Sequence, residues 1–167
     1  LNASSRSSYD QQLANYRPPA PTAGPSSDGS GNWLDRARDF LARGDAHSAA
    51  YAAREATTHD GSNHEAWAFR AETSLLTGEH QAAIFEYGEA IRLNGNEPSY
   101  HFDLGTVYEE MGQWNQALSS YERAASIAPQ VPVFRLAVAG VHLQNDRPDL
   151  ALPVIERVYA EDPTNAV

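Results

Sequence analysis

The chain has 167 residues, of which 41% are apolar and 20% charged, with a formal net charge of −10 and neither cysteine nor lysine. This composition suffices for one folded domain, and it excludes disulfides, cysteine-ligated zinc, P-loop lysines and Schiff-base chemistry. The negative charge repels phosphate backbones, which argues against nucleic acid as a partner, and no apolar run is long enough for membrane insertion.

The first 31 residues are rich in Ser, Pro, Gly and Ala. This composition predicts a disordered or linker tail, because it cannot bury enough apolar surface to offset its ordering entropy. Within the tail, Tyr9, Leu13 and Tyr16 share one face of a helix if residues 9–16 are helical. Two interpretations stay open: a chance triplet, or a short docking helix that enters a groove of this chain or of a neighbouring copy.

From residue 32 onward the sequence repeats with a period of 34 residues. The period predicts four repeats, at about 32–63, 64–97, 98–131 and 132–165, with residues 166–167 beginning a further one. Each repeat reads as two short amphipathic helices around a tight turn. The clearest copy is the third, whose marker positions are Leu104, Gly105, Tyr108, Gly112, Ala117, Tyr121, Ala124 and Pro129.

Local signals predict how several helices begin and end. Ser62 and Glu65 have the spacing of a capping box at the start of the third helix. Pro153 lies inside the last helix, where it predicts a kink or a late start. An apolar face on that helix, formed by Leu150, Val154 and Val158, has no following repeat to cover it. Truncation of a longer array and pairing with another subunit both explain this face.

The marker residues resemble those of the tetratricopeptide repeat, a helix–turn–helix unit of 34 residues. The resemblance implies an all-α solenoid, a right-handed superhelix whose concave surface is lined by the first helix of each repeat. It also implies a scaffold or adaptor that binds proteins or peptide segments. The sequence departs from the family pattern at Arg70 and Ser74 in repeat two, at His101 in repeat three, and at His142 and Pro153 in repeat four.

The family register places a set of first-helix residues in the concave groove. They combine apolar and aromatic side chains with carboxylates, which suits an apolar or basic partner segment. An acidic groove that merely reflects the composition of the chain is the alternative. The predicted groove residues are Leu34, Arg38, Leu41, Glu65, Phe69, Glu72, Leu76, Phe102, Asp103, Thr106, Glu109 and Leu136.

Some members of the family hold a carboxylate-ended peptide with a cluster of cations. Arg38 is the one cation near those positions here, and Asp103 would oppose a carboxylate. We therefore expect a general adaptor or a co-chaperone-type adaptor without that clamp. A self-associating building block, which would use the last helix or the segment at 9–16, is the second hypothesis.

No catalytic constellation is visible, so we expect neither an enzyme nor a cofactor. His80, His101 and His142 occupy packing positions, whereas His59 and His64 flank a loop with only loose resemblance to a metal site. The location is undetermined. A cytoplasmic protein and a periplasmic or membrane-tethered one that has lost an N-terminal anchor both fit.

Overall fold

A computed structural model describes residues 29–161 of the chain, which form eight α-helices and no strand. Each helix packs against the next one in sequence, so that four helix pairs stack into a linear array. The all-α repeat fold is therefore confirmed, and none of these eight helices is both long and apolar enough to cross a bilayer. The helices are α1 (Gly29–Ala42), α2 (Ala46–His59), α3 (His64–Leu76), α4 (His80–Leu93), α5 (Pro98–Glu110), α6 (Trp114–Ile127), α7 (Pro132–Gln144) and α8 (Pro148–Glu161).

The turn inside each repeat has one conformation, repeated at the 34-residue period. Gly44, Gly78 and Gly112 have φ values of 78°, 80° and 69°, and Asp146 takes the same place with φ of 58°. This left-handed conformation favours glycine, because a side chain there crowds the backbone. The amide of Gly112 donates to the carbonyl of Glu109 at 2.9 Å, and the other three turns contain the equivalent bond. Repeat four thus keeps the turn although it lacks the glycine.

Close packing between the two helices of a repeat depends on small residues. A Cβ atom built on Gly105 would lie 2.5 Å from the ring carbon Cε1 of Tyr121. Ala37, Ala71 and Ala139 occupy the same place in the other repeats and are fully or almost fully buried. The apolar core therefore runs along the array as a series of clusters at the helix contacts.

The loops between repeats are held by a recurring bond from an aromatic ring nitrogen. Nε1 of Trp67 donates to the carbonyl of Gly61 at 2.9 Å, and Nε2 of His101 lies 3.1 Å from the carbonyl of Gly95. His101 therefore replaces the usual tryptophan while keeping its hydrogen bond. The predicted capping box at Ser62 is wrong: the side chain of Asn63 accepts from the amide of Ala66 at 3.1 Å and caps α3 instead.

The departures from the family pattern in repeat two form one buried polar network. Nε of Arg70 lies 2.6 Å from Oε1 of Glu86, whose side chain is only 3% exposed. Oγ of Ser74 donates to the other carboxylate oxygen at 2.6 Å, and Nη1 of Arg70 donates to Oγ1 of Thr57 at 3.0 Å. The network joins α3 to α4 and also to α2 of the preceding repeat. Arg70 and Ser74 are thus explained by a shared partner, Glu86.

The last helix differs in part from its prediction. α8 begins at Pro148 and passes through Pro153, so there is no late start. Val158 is 6% exposed because it packs into the array, and the predicted uncovered face is therefore wrong at that position. The large apolar side chains that α8 exposes are Leu150, Leu152 and Tyr159.

Candidate functional site

A cavity of about 770 Å³ opens on the face formed by the first helices of repeats one to three. We call it the first-helix pocket. Its side chains come mainly from α3 and α5, with one residue each from α1, from α4 and from the loop before α5. The lining residues are Arg38, Glu65, Ala68, Phe69, Glu72, Leu75, Tyr87, Glu97, Ser99, Tyr100, Phe102, Asp103 and Thr106.

The aromatic side chains of this pocket are anchored in the core behind it. Phe69 is half-buried and packs against the clusters around Leu34 and Ala37. The ring of Phe102 lies 5.3 Å from the rings of both Tyr121 and Phe134. Each phenylalanine therefore contributes to inter-repeat packing and also lines the pocket, so truncating either one affects stability as well as the surface.

Two tyrosines complete the aromatic lining. Tyr87 and Tyr100 are 4% and 8% exposed, and burial raises the pKa of the Tyr100 hydroxyl to about 12, with a smaller contribution from nearby Glu97. Burial also raises the pKa of Tyr87, helped by the charge of Asp103. The hydroxyl of Tyr100 lies 2.8 Å from Nδ1 of His64. Both phenols thus stay neutral at physiological pH.

The carboxylates of the pocket fall into two groups. Glu65 pairs with Arg38 at 3.0 Å, and Glu97 accepts from the hydroxyl and amide of Ser99 at the start of α5. Glu72 and Asp103, in contrast, make no ion pair or side-chain hydrogen bond with any residue in the described range 29–161. The pocket therefore has a negative charge that its one arginine does not neutralise.

Asp103 has the most perturbed carboxyl group of the pocket. Burial, and secondarily the charge of Glu72, raise its pKa to about 6. The side chain of Glu72 is exposed, yet partial desolvation in the recess raises its pKa as well. Both shifts disfavour the charged form of these carboxylates, and a cation placed near them would favour it.

Seven predicted groove residues line the pocket, namely Arg38, Glu65, Phe69, Glu72, Phe102, Asp103 and Thr106. Leu34 does not, because it is 4% exposed and belongs to the core beside Ala56 and Ala66. Glu109 accepts a hydrogen bond from the hydroxyl of Tyr121 at 2.6 Å. Leu76, at 57% exposure, Leu41 and Leu136 are not part of the lining either. The segment formed by Tyr9, Leu13 and Tyr16 lies outside the described residues.

Sequence reasoning missed Tyr87, Glu97 and Tyr100 as lining residues. Tyr87 occupies the aromatic packing position of a second helix, so the repeat pattern assigns it to the core. Tyr100 comes two residues after the helix-starting Pro98, a position the family register does not assign to the groove. The available signal was the hydroxyl group on each ring, since a buried tyrosine usually presents its polar end to a surface or a partner.

Four of the six histidines contact protein groups in the structure, among them His64 and His101, whose bonds are described above. His59 stacks on Trp33 with ring centroids 6.3 Å apart, and His80 lies 3.1 Å from Oε2 of Glu110 in the next repeat. Across residues 29–161 there is no cluster of three or more side chains suited to hold a metal.

A second cavity, of about 550 Å³, lies among α6, α7 and α8 and is lined by residues that include Arg135, Pro153 and Arg157.

Comparison with known proteins gives consistent results. A family model described as the tetratricopeptide repeat matches residues 34–98 and 102–166. A relative from Mycosarcoma maydis, the small glutamine-rich tetratricopeptide repeat-containing protein 2, is 27% identical over 94 residues, which are 56% of this chain and 27% of that protein. A probable UDP-N-acetylglucosamine–peptide N-acetylglucosaminyltransferase SPINDLY from Oryza sativa subsp. japonica is 40% identical over 58 residues, or 34% of this chain. This chain spans only 6% of that enzyme.

Solved structures resemble the array over most of its length. A crystal structure of MamA superposes with a TM-score of 0.78 and 20% identity, covering 96% of this chain and 88% of that one. The tetratricopeptide repeat domain of Arabidopsis OM64 superposes with a TM-score of 0.64 and 19% identity, covering 67% and 93% of the two chains. At these identities the likeness establishes the fold, a superhelix of helical repeats.

Proposed function

Because the chain belongs to the tetratricopeptide repeat family, we propose that it is an adaptor that binds an apolar or basic segment of a partner protein in the first-helix pocket. Proteins with these repeats generally mediate protein–protein interaction, and the fold is generally a scaffold without catalytic activity. The match to the glycosyltransferase SPINDLY covers only a small part of that protein, so it does not indicate catalysis. The partner and the way it binds are the new elements of the proposal.

The observation that carries the proposal is the combination of aromatic surface and uncompensated acid in one recess. Phe69 and Phe102 are held by core contacts and therefore present apolar surface without a large ordering cost. Asp103 and Glu72 supply a negative field that would attract a basic segment and orient it. Arg38 is already paired with Glu65, so the pocket lacks the cations that a carboxylate-ended ligand needs.

The test is a selection of short peptides from a displayed library on the full-length chain, followed by affinity measurements on the enriched sequences. We expect enrichment of apolar and basic residues, and at least a tenfold loss of affinity in Phe102→Ala, because an aromatic anchor carries much of the energy at such a site. Phe85→Ala is the matched control, since Phe85 is 61% exposed and lies outside the pocket. Circular dichroism must show that each variant is folded at the assay temperature.

Enrichment of peptides whose binding survives Phe69→Ala and Phe102→Ala would refute the proposal and locate binding elsewhere. Enrichment of acidic peptides would refute the part concerning ligand charge. Each outcome is clear because every variant, including the Phe85→Ala control, differs from the natural chain only in the aromatic rings that were removed.

Self-association is a second candidate, and the exposed side chains of α8 favour it. Leu152 and Tyr159 are seven residues apart, on one face of the helix, and are 53% and 46% exposed. Sedimentation equilibrium of the full chain would detect oligomers, and Leu152→Glu with Tyr159→Glu should dissociate them. Leu76→Glu is the control, because Leu76 is equally exposed on α3. A strict monomer at millimolar concentration would refute this candidate.

A further inference from the structure

The first-helix pocket places a half-buried acid beside an aromatic lining. Asp103 projects from α5 and is half-buried, while Glu72 approaches the same recess from α3. Neither carboxylate has a partner within residues 29–161, whereas Glu65 and Glu97 in the same pocket do. A carboxylate that is desolvated and unpaired in a folded protein is unfavourable, and an opposite charge brought by a ligand removes that cost.

The aromatic lining restricts the kind of cation that fits. Phe69, Phe102 and the buried rings of Tyr87 and Tyr100 line the recess that contains the two acids. A guanidinium is planar, stacks on aromatic rings, and is more weakly hydrated than an ammonium. It can also bond to two carboxylates at once through its five donors. Packing of a guanidinium on an aromatic ring already occurs within this protein, since the guanidinium of Arg70 lies 5.2 Å from the ring centre of Trp67.

We propose that the first-helix pocket receives an arginine side chain of the partner segment, whose guanidinium pairs with Asp103 and Glu72 and packs on the aromatic lining. This inference rests on the proposed function and specifies its ligand. The volume of about 770 Å³ accommodates an arginine together with apolar neighbours on either side of it. Apolar residues of the segment would contact Ala68, Leu75 and the two phenylalanines.

The proposal entails a pH dependence of binding, which follows from the groups around Asp103. Glu72 on α3, Tyr87 on α4 and Tyr121 on α6 face Asp103, and the ion pair of Arg38 with Glu65 lies at the α1 side of the pocket. Glu97, in the loop before α5, and Tyr100, on α5 itself, line the same pocket as Asp103. Apart from Arg38 these groups are acids or neutral phenols. Protonation of Asp103 below its pKa of about 6 therefore removes the main attraction for a cation.

The experiment compares four peptide amides that differ only at the centre of a five-residue sequence, where arginine, lysine, citrulline or glutamate is flanked by leucines. Citrulline matches arginine in shape but carries no charge. Binding to the full chain is measured by ¹H–¹⁵N NMR titration at pH 7.5 and pH 5. We expect the arginine peptide to bind at least about tenfold more tightly than the citrulline peptide at pH 7.5. This advantage should fall about tenfold at pH 5, in line with the fraction of Asp103 that remains ionised.

Three variants separate the proposed pairing from general charge. Asp103→Asn and Glu72→Gln should each reduce the advantage of arginine over citrulline, because each removes a carboxylate that pairs with the guanidinium. Neither should unfold the chain, because each removes a charge that burial already disfavours. Glu156→Gln, on the exposed surface of α8, is the control and should have no effect.

The outcomes distinguish this inference from the proposed function. Equal binding of the arginine and citrulline peptides, with both lost in Phe102→Ala, overturns the arginine pocket and leaves the peptide-binding function intact. Equal binding of lysine and arginine overturns the selection of a guanidinium. An equal loss in Glu156→Gln would show a non-specific charge effect and also overturn the inference. The absence of pocket shifts with all four peptides counts against both proposals.

Discussion

Replacing Arg70 by leucine tests whether the buried polar network of repeat two holds the array together. Arg70 occupies a position that the family usually fills with leucine, so the substitution follows the pattern of the repeat. It removes the guanidinium that lies 2.6 Å from Glu86 and 3.0 Å from Thr57. A carboxylate that is 3% exposed then remains with one neutral hydroxyl, that of Ser74, as its partner.

The expected loss is about 3 kcal/mol in the free energy of unfolding at pH 7.5. Breaking a buried ion pair from one side typically costs 3–5 kcal/mol. The lower end applies because the Arg70 side chain is 23% exposed and water can approach the site it leaves. For a domain of this size the loss corresponds to a fall of about 6–12 °C in melting temperature.

The loss should depend on pH in a defined direction. Burial already raises the pKa of Glu86 above its ordinary value of 4.5, and Arg70 counteracts that shift. Without Arg70 the pKa rises further. An acid whose pKa is raised by folding stabilises the fold when protonated and loses that contribution as the pH rises through the folded value. The deficit of Arg70→Leu should therefore be largest near neutral pH and shrink as the pH falls towards 4.5.

The assay is urea denaturation followed by circular dichroism at 222 nm, across pH 4.5 to 7.5, for single and double variants. Arg70→Leu combined with Glu86→Leu removes the whole pair and should recover stability to within about 1 kcal/mol of the natural chain, because apolar replacements of buried ion pairs are often neutral. Equal losses in the single and double variants would refute the reasoning. So would a deficit that does not change with pH.

Four further substitutions, one of them a control, test the packing and turns of the array. Gly105→Ala should lower the free energy of unfolding by about 1–3 kcal/mol, because the added methyl group overpacks against Tyr121. The control is Gly140→Ala, where an added Cβ meets nothing within 4 Å and should stabilise the chain by about 0.5–1 kcal/mol. Thermal melts compare the two variants, and equal effects would contradict the packing argument. Asp146→Gly should stabilise repeat four by about 1 kcal/mol, because it relieves a left-handed aspartate, and the reciprocal Gly112→Asp should destabilise repeat three by a similar amount. Urea denaturation should show changes of opposite sign in the free energy of unfolding of these two variants. A loss of stability in both would rule out backbone strain as the cause.

Most of the fold was predictable because the repeat signal is local. The turn at Gly112 and the marker residues of repeat three lie within one period, and helix pairing follows from them without any knowledge of distant residues. α4, for example, begins two residues after the turn residue Gly78 and spans His80–Leu93. The start of α3 was harder, since Ser62 and Asn63 are both good caps and only the backbone path selects Asn63.

The candidate site was predictable only in part, because it forms where neighbouring repeats meet. Residues on one helix face, such as Phe69 and Glu72, follow from the register of a single repeat. Leu34 obeys the same register but is covered by α2 and α3, through Ala56 and Ala66. Tyr100 lies outside the register and still reaches the pocket.

The sequence by itself determined the repeat, its turns and the excess of acid, since each of these is a property of residues close together in the chain. Only the tertiary structure decided which side chains share a pocket. It also showed that Arg70 and Ser74, which look like defects in a single repeat, are partners of Glu86 twelve or more residues away. The physical reason is the same in both cases: burial and charge pairing depend on how successive helices stack, and no single period of the sequence contains that information.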